Sequence, residues 1–294
     1  MTDAPSPVQW RVEVAAGVEL GEHPIWDDAA ECLNWVDVLG GTVHRLHVGG
    51  ETSSLRLGDV LGAVGLRMHG GIIAATDQHF AFRDARGVID RDPIAAPVPA
   101  GMRFNDAASD PAGRFLAGIV SQAGDSMGHL IQLHADGHIE VVLEELVESN
   151  GLAWSLDGAT LYFVDSGEQC IRRYDYEGET GKIGPRRANV IEFPEGEGTP
   201  DGLVVDAEGA VWVAMWQGAS VKRISPTGAV LCHLGLSVSQ PTCAGFGGYS
   251  LDRLYVTSAW EGMSGDERNA EPGAGDLLSA NIGVRGMPAH RFVG

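Results

Sequence analysis

Apolar residues fall along this chain in short runs divided by turn residues, and the clearest case is TPDGLVVDAEGAVWVAMW, Thr199 to Trp216. Leu203, Val204 and Val205 form one β-branched and aliphatic run. DAEG, from Asp206 to Gly209, is a turn signal, and Val211 to Met215 resumes the β pattern. The pattern predicts a hairpin. NGLAWSLDGATLYFVD, ending at Asp165, aligns with it almost without gaps, and looser copies begin near Leu20, Ala63, Arg103 and Thr242.

Taking Glu22, Gly62, Asn105, Asn150, Asp201 and Thr242 as unit starts gives a period of about 40 to 51 residues, that of a four-stranded propeller blade. An α/β alternative needs amphipathic helices of ten or more residues between strands, and only Ile139 to Ser149 approaches that. The prediction is therefore all-β: one six-bladed β-propeller over residues 1–294, with blades of four antiparallel strands. Edge physics favours the same answer. A lone blade has two open edges and unburied faces, whereas six packed radially leave short edges around an axial channel. Closure is expected to pair the strand-like stretch Val8 to Val14 with strands from the C-terminus.

Composition narrows the partners. Forty acidic against twenty basic residues give a net charge of -20, which opposes phosphate backbones and anionic membrane surfaces, so neither nucleic acid nor membrane is expected. No apolar run approaches the roughly 20 residues of a membrane span, and the opening MTDAPSPVQW lacks the pattern of a signal peptide, so a cytoplasmic location is expected. Cys32, Cys170, Cys232 and Cys243 fit no CxxC pattern and read as buried free thiols. The sequence sets no oligomeric state.

The first strand of each blade lines the channel, so residues at those strand starts gather at one mouth. Glu22, Asn105, Asn150 and Asp201 all hold such positions, in the local sequences EHP, FND, SNG and PDG. Each alone is equally a loop cap. Together, two carboxylates and amide oxygens form a hard, oxygen-rich site suited to one divalent metal ion, Ca²⁺, Mg²⁺ or Mn²⁺, with Zn²⁺ less favoured.

The motifs LGEHPIW, RFNDAASDPAGRFLAG, SNGLAWSLDG, TPDGLVVDAEGAVWVAMW and LDRLYVTSA, in this order, resemble those of the SMP-30/gluconolactonase family of regucalcin-like lactonases. The resemblance spans most of the chain and implies a six-bladed propeller holding a divalent metal through a Glu, an Asn and an Asp, here Glu22, Asn150 and Asp201. It also implies that Arg103 and Asn105 face the substrate. Two departures bear on specificity. His23 stands where the family often has Gly, and Ser121, Gln122 and Ala123 stand where some relatives carry acidic residues.

Other constellations carry less. His44 with His47, and His134 with His138, are expected at the surface rather than around a metal. The seven tryptophans read mainly as blade packing, with Trp216 and Trp260 the candidates for substrate contact. Ser121 and Ser166 lack the GxSxG elbow of a serine hydrolase. The expected function is metal-dependent opening of a sugar lactone to its aldonic acid, with Asp201 as metal ligand and catalytic residue. Two other readings stay open: hydrolysis of another ester or an organophosphate by the same metal, and a non-catalytic metal-binding propeller.

Overall fold

The computed structural model describes residues 8–124 and 127–294. Six antiparallel sheets follow one another along the chain, and each of the six predicted unit starts falls within the innermost strand of one sheet. Those inner strands are Gly21–Asp27, Leu61–Arg67, Met102–Ser109, Ser149–Trp154, Thr199–Val205 and Pro241–Gly247, for blades 1 to 6 in that order. The fold is an all-β six-bladed propeller. Its repeating local cause is an Asp at the first tight turn of the blade. Asp206 Oδ1 accepts from the N–H groups of Glu208 and Ala210, and Asp110 Oδ1 from those of Ala112 and Arg114, so each carboxylate stands in for a ladder partner at the hairpin end.

Closure follows the expected route with a shorter strand. Arg11–Val14 pairs antiparallel with Leu277–Asn281 and becomes the outermost strand of blade 6, joining the first part of the chain to the last. Arg253 and Ser279 donate to the Glu13 carboxylate at that seam, each at 2.5 Å. Ile139–Leu146, the stretch nearest in length to a helix, is the outer strand of blade 3, because its partner Gly128–Leu133 supplies a ladder along its length. A short helix, Gly265–Ala270, is inserted within blade 6 and opens on a capping box between Ser264 and Glu267. Among the described residues no helix is long and apolar enough to cross a membrane.

Adjacent blades share apolar layers. Phe80, Phe82, Phe104, Phe115 and Phe292 interlock between blades 2 and 3, and Trp212, Val221, Phe246 and Val256 between blades 5 and 6. The inner strands pack so closely that side chains are excluded at some positions. A Cβ on Gly202 would lie 2.3 Å from Cys243 Sγ, and one on Gly151 would lie 2.5 Å from the Leu203 nitrogen. Near the other end of the axis, Arg291–Phe292 pairs parallel with the end of the blade 2 inner strand, and the preceding residues 287–290 line the axial cavity.

Candidate metal and substrate site

All the sequence-predicted site residues lie on inner strands, and most of them sit on a break in the ladder. In blade 3, Phe104 pairs with Ile119 and Ala107 with Ala117, so Asn105 and Asp106 together oppose one residue. The same two-against-one count leaves out Asn150 and Gly151 in blade 4, Asp201 and Gly202 in blade 5, and Thr242 and Cys243 in blade 6. In blade 1 the extra residues are His23 and Pro24, directly after Glu22. A β-bulge re-aims a side chain that regular alternation would direct elsewhere. Repeated around the ring, it gathers polar residues of five blades near the axis.

Glu22, Asn105, Asn150 and Asp201 are all buried. Burial first, and then the charges of Asp201 and Asp106, push the Glu22 carboxyl well above the usual carboxylate range. Asp201 is pushed the same way by burial and by the charges of Glu148 and Asp106, against which the Asn150 side chain and Arg103 act. These carboxylates therefore repel across a small, poorly hydrated space. Among the described residues, Asn150 Oδ1 and Asp201 Oδ1 are buried without a hydrogen-bond partner. The Asn150 amide is held in place from its other side: Nδ2 donates to Ser166 Oγ at 3.1 Å, and Ser166 Oγ donates to the Pro200 carbonyl at 2.7 Å.

Buried polar atoms are normally satisfied, so two partnerless oxygens between repelling carboxylates mark where positive charge belongs. Oxygen donors of this kind, carboxylate and amide, fit a hard divalent cation. Among the described residues no three His, Cys, Asp or Glu side chains are grouped as a metal cage; the candidate donors are two carboxylates and one amide oxygen.

Arg103 supplies the cation of the protein itself. Its Nη1 donates to Asn105 Oδ1 at 2.6 Å and to the Phe104 carbonyl at 3.0 Å, and Asn105 Nδ2 donates to the Ser149 carbonyl at 2.9 Å. Both ends of the Asn105 amide are thus engaged, and that side chain orients Arg103. Burial lowers the Arg103 pKa, while the charges of Glu261, Glu22, Glu148 and Asp201 hold its proton on.

Sequence reasoning passed over several neighbours. Asp106 Oδ1 lies 2.7 Å from His23 Nδ1, joining blades 3 and 1 across 83 positions. Cys243 is buried near Asp106, Glu22 and Asp201, and burial followed by those charges pushes its thiol well above the usual range. The local signal for both was the second residue of each bulge, beside the polar residue that had been singled out. His23, Asp106 and Cys243 also stand in the wall of a cavity of about 290 Å³ that runs along the axis with Leu152, Leu203 and Phe246.

The remaining candidates fall outside this group. His44 is half-buried rather than at the surface, stacked 5.1 Å from Trp35, because its strand turns that face inward. His134 lies 2.8 Å from the Glu140 carboxylate. Cys32 and Cys170 are buried free thiols like Cys243, and Cys232 is half-buried. Trp216 packs against the core between blades 1 and 2, and Trp260 Nε1 donates to the Gly17 carbonyl at 3.0 Å.

Comparison with known proteins adds to the geometry. The sequence profile described as SMP-30/Gluconolactonase/LRE-like region matches residues 20–260. A 6-deoxy-6-sulfogluconolactonase of Pseudomonas putida is 37% identical over 279 residues, covering 94% of this chain and 95% of its own. Regucalcin of Gallus gallus is 34% identical over 291 residues, with 94% and 95% covered. Among solved structures, the calcium-binding protein regucalcin of Agrobacterium tumefaciens superposes with a TM-score of 0.89 at 28% identity, covering 97% of this chain and 98% of that one.

Proposed function

This chain belongs to the SMP-30/gluconolactonase/LRE-like family, and from that premise we propose that it is a divalent-metal-dependent lactonase that opens a sugar lactone to its acid. The observation that carries the reading is the pair of buried oxygens without a hydrogen-bond partner among the described residues, Asn150 Oδ1 and Asp201 Oδ1, with the Asp201 charge acting on buried Glu22. Glu22, Asn150 and Asp201 would hold the cation. The similarity to a sulfogluconolactonase and to regucalcins, one of them described as calcium-binding, supports a lactone substrate and a Ca²⁺-like ion.

A divalent ion bound there supplies Lewis acidity to an ester carbonyl and lowers the pKa of water. The residues of the chain do the rest. Asp201 orients the attacking water and accepts its proton, as a carboxylate within reach of the reacting centre can. Asn150, fixed by Ser166, presents its carbonyl oxygen without choosing between rotamers. Arg103, steered by Asn105, donates to hydroxyls of the sugar or to the oxygen that gains charge as the ester opens. Burial of all three candidate ligands keeps bulk water from screening these interactions.

The test is a panel of aldonolactones, neutral and 6-sulfonated, assayed by acid release with chelator and after readdition of Ca²⁺, Mn²⁺ or Zn²⁺. Metal-dependent turnover of at least one lactone is expected. Turnover that persists in verified metal-free protein, or none with any lactone and any ion, refutes the reading.

A further inference from the structure

His23 carries a backbone conformation that L side chains rarely adopt, with φ at 55°. Glycine reaches that region without strain, so a histidine there needs something to hold it. Among the described residues its ring has one directional contact: Nδ1 lies 2.7 Å from Asp106 Oδ1, while Nε2 is buried with no hydrogen-bond partner. Both side chains are shielded, at 11% and 7% exposure, so water does not compete for the contact. Asp106 is itself fixed, because the Ala107 N–H donates to the same Oδ1 at 2.8 Å.

The consequence reaches Glu22. The backbone N–H of His23 donates to Glu22 Oε2 at 3.2 Å, and the direction of that N–H depends on the strained dihedrals beside it. A chain of contacts thus runs from the backbone of blade 3, through Asp106 and the His23 ring, to the bulge of blade 1 and the Glu22 carboxylate. We propose that His23 and Asp106 form a cross-axis strut whose task is to position Glu22, and to hold the Asp106 carboxylate to the ring, so that the cation site keeps its shape. The inference rests on the metal reading of Glu22, Asn150 and Asp201. His23 and Asp106 are positioning residues and act through Glu22.

The strut is tested by Ca²⁺ binding alone, measured by titration calorimetry on the metal-stripped full chain, with thermal unfolding in chelator as a check of the fold. Residues that orient a metal ligand are worth about 10- to 100-fold in affinity. H23A and D106A should each lose affinity in that range, and H23A/D106A should bind no more weakly than D106A, since either change breaks the same link. H23Q, whose amide can donate to Asp106, should retain most of the affinity. Should H23A not fold, H23G takes its place: glycine accepts the dihedral but has no ring to anchor, so it too should bind more weakly. Affinity within about 2-fold of wild type in H23A or H23G, or full additivity in the double variant, overturns the strut. Wild-type protein that binds no divalent ion overturns the metal reading and the strut together. Tight wild-type binding with an unaffected H23A overturns the strut alone.

Discussion

Replacing Asp201 with Asn separates the ligand role from a turn role, because Asn keeps the size, keeps an oxygen at Oδ1 and accepts the same turn conformations. What it removes is one negative charge from a buried pair. Two opposing effects follow. A unit charge pair in contact is worth about 4 kcal/mol at an effective dielectric constant of 20, and a bound divalent cation loses about twice that attraction. The loss is partly offset, because Asp201 no longer repels Glu22 or bears the cost of burial. A net loss of about 2.7 kcal/mol corresponds to about 100-fold in affinity. Wild-type protein at 100 times its Kd gains about 2.7 kcal/mol from the metal; the variant at the same concentration sits near its own Kd and gains about 0.4 kcal/mol. At roughly 2 °C per kcal/mol for a chain this long, a metal-induced rise in Tm of about 5 °C shrinks to about 1 °C. The metal-free variant should melt at or above the metal-free wild type, since a buried repulsion is gone. Thermal unfolding in chelator and in Ca²⁺ reads both signs in one experiment. At saturating metal, kcat should still fall by about 10²- to 10⁴-fold, the usual worth of a general base. An Asp201→Asn protein with the wild-type metal shift and most of its kcat refutes the assignment.

Two further outcomes are expected. Arg103→Ala should raise KM or lower kcat for polyhydroxylated lactones and leave Ca²⁺ affinity nearly unchanged, because the lost charge both repelled a cation and helped keep Glu22 and Asp201 ionised; unchanged kinetics on the best lactone would take Arg103 out of the site. Glu168 is held down to about 2 from an ordinary value of 4.5 by hydrogen bonds from Arg172 and Arg186, so its contribution to stability is present above about pH 4.5 and lost as pH falls toward 2. Because its side chain is 35% exposed, solvent screens that contribution, and Glu168→Gln should only flatten the acid limb of the stability profile in urea titrations between pH 5 and 2. An identical profile would show that the arginine contacts contribute nothing.

The blades were legible because their cause is local. A strand pattern, an Asp-containing turn and a second strand recur within each unit, and TPDGLVVDAEGAVWVAMW states all three in eighteen residues. Ile139–Leu146 lies in the one stretch that approached a helix in sequence, and what makes it a strand is its ladder to Gly128–Leu133. The helix at Gly265–Ala270 did leave a mark, the capping box from Ser264 to Glu267, in a loop too short on apolar periodicity to draw notice. The parallel pairing of Arg291–Phe292 with blade 2 left none, because its partner lies more than two hundred residues earlier.

The site divides the same way. Polar residues at strand starts pointed to Glu22, Asn105, Asn150 and Asp201, since a blade period maps onto a ring, and the family resemblance implied Glu22, Asn150 and Asp201 as the ligands among them. What the period cannot express is the extra residue in each ladder. A bulge turns one position per blade into two, Asn105 with Asp106 and Thr242 with Cys243 among them, and the second member reaches residues of other blades rather than its sequence neighbours. This also explains why glycine follows Asn150 and Asp201. At Gly151 and Gly202 a side chain would strike the adjacent inner strand, so these second positions serve close packing, whereas Asp106 serves a cross-axis contact. On the proposed reading the ring is divided in its work: blades 4 and 5 bring their strands together so that Asn150 and Asp201 share one space, and blades 1 and 3 use the same local distortion to hold Glu22 toward it. A donor set built that way depends on closure of the whole propeller, and the link from Arg11–Val14 to blade 6 is accordingly a requirement of the site as much as of the fold.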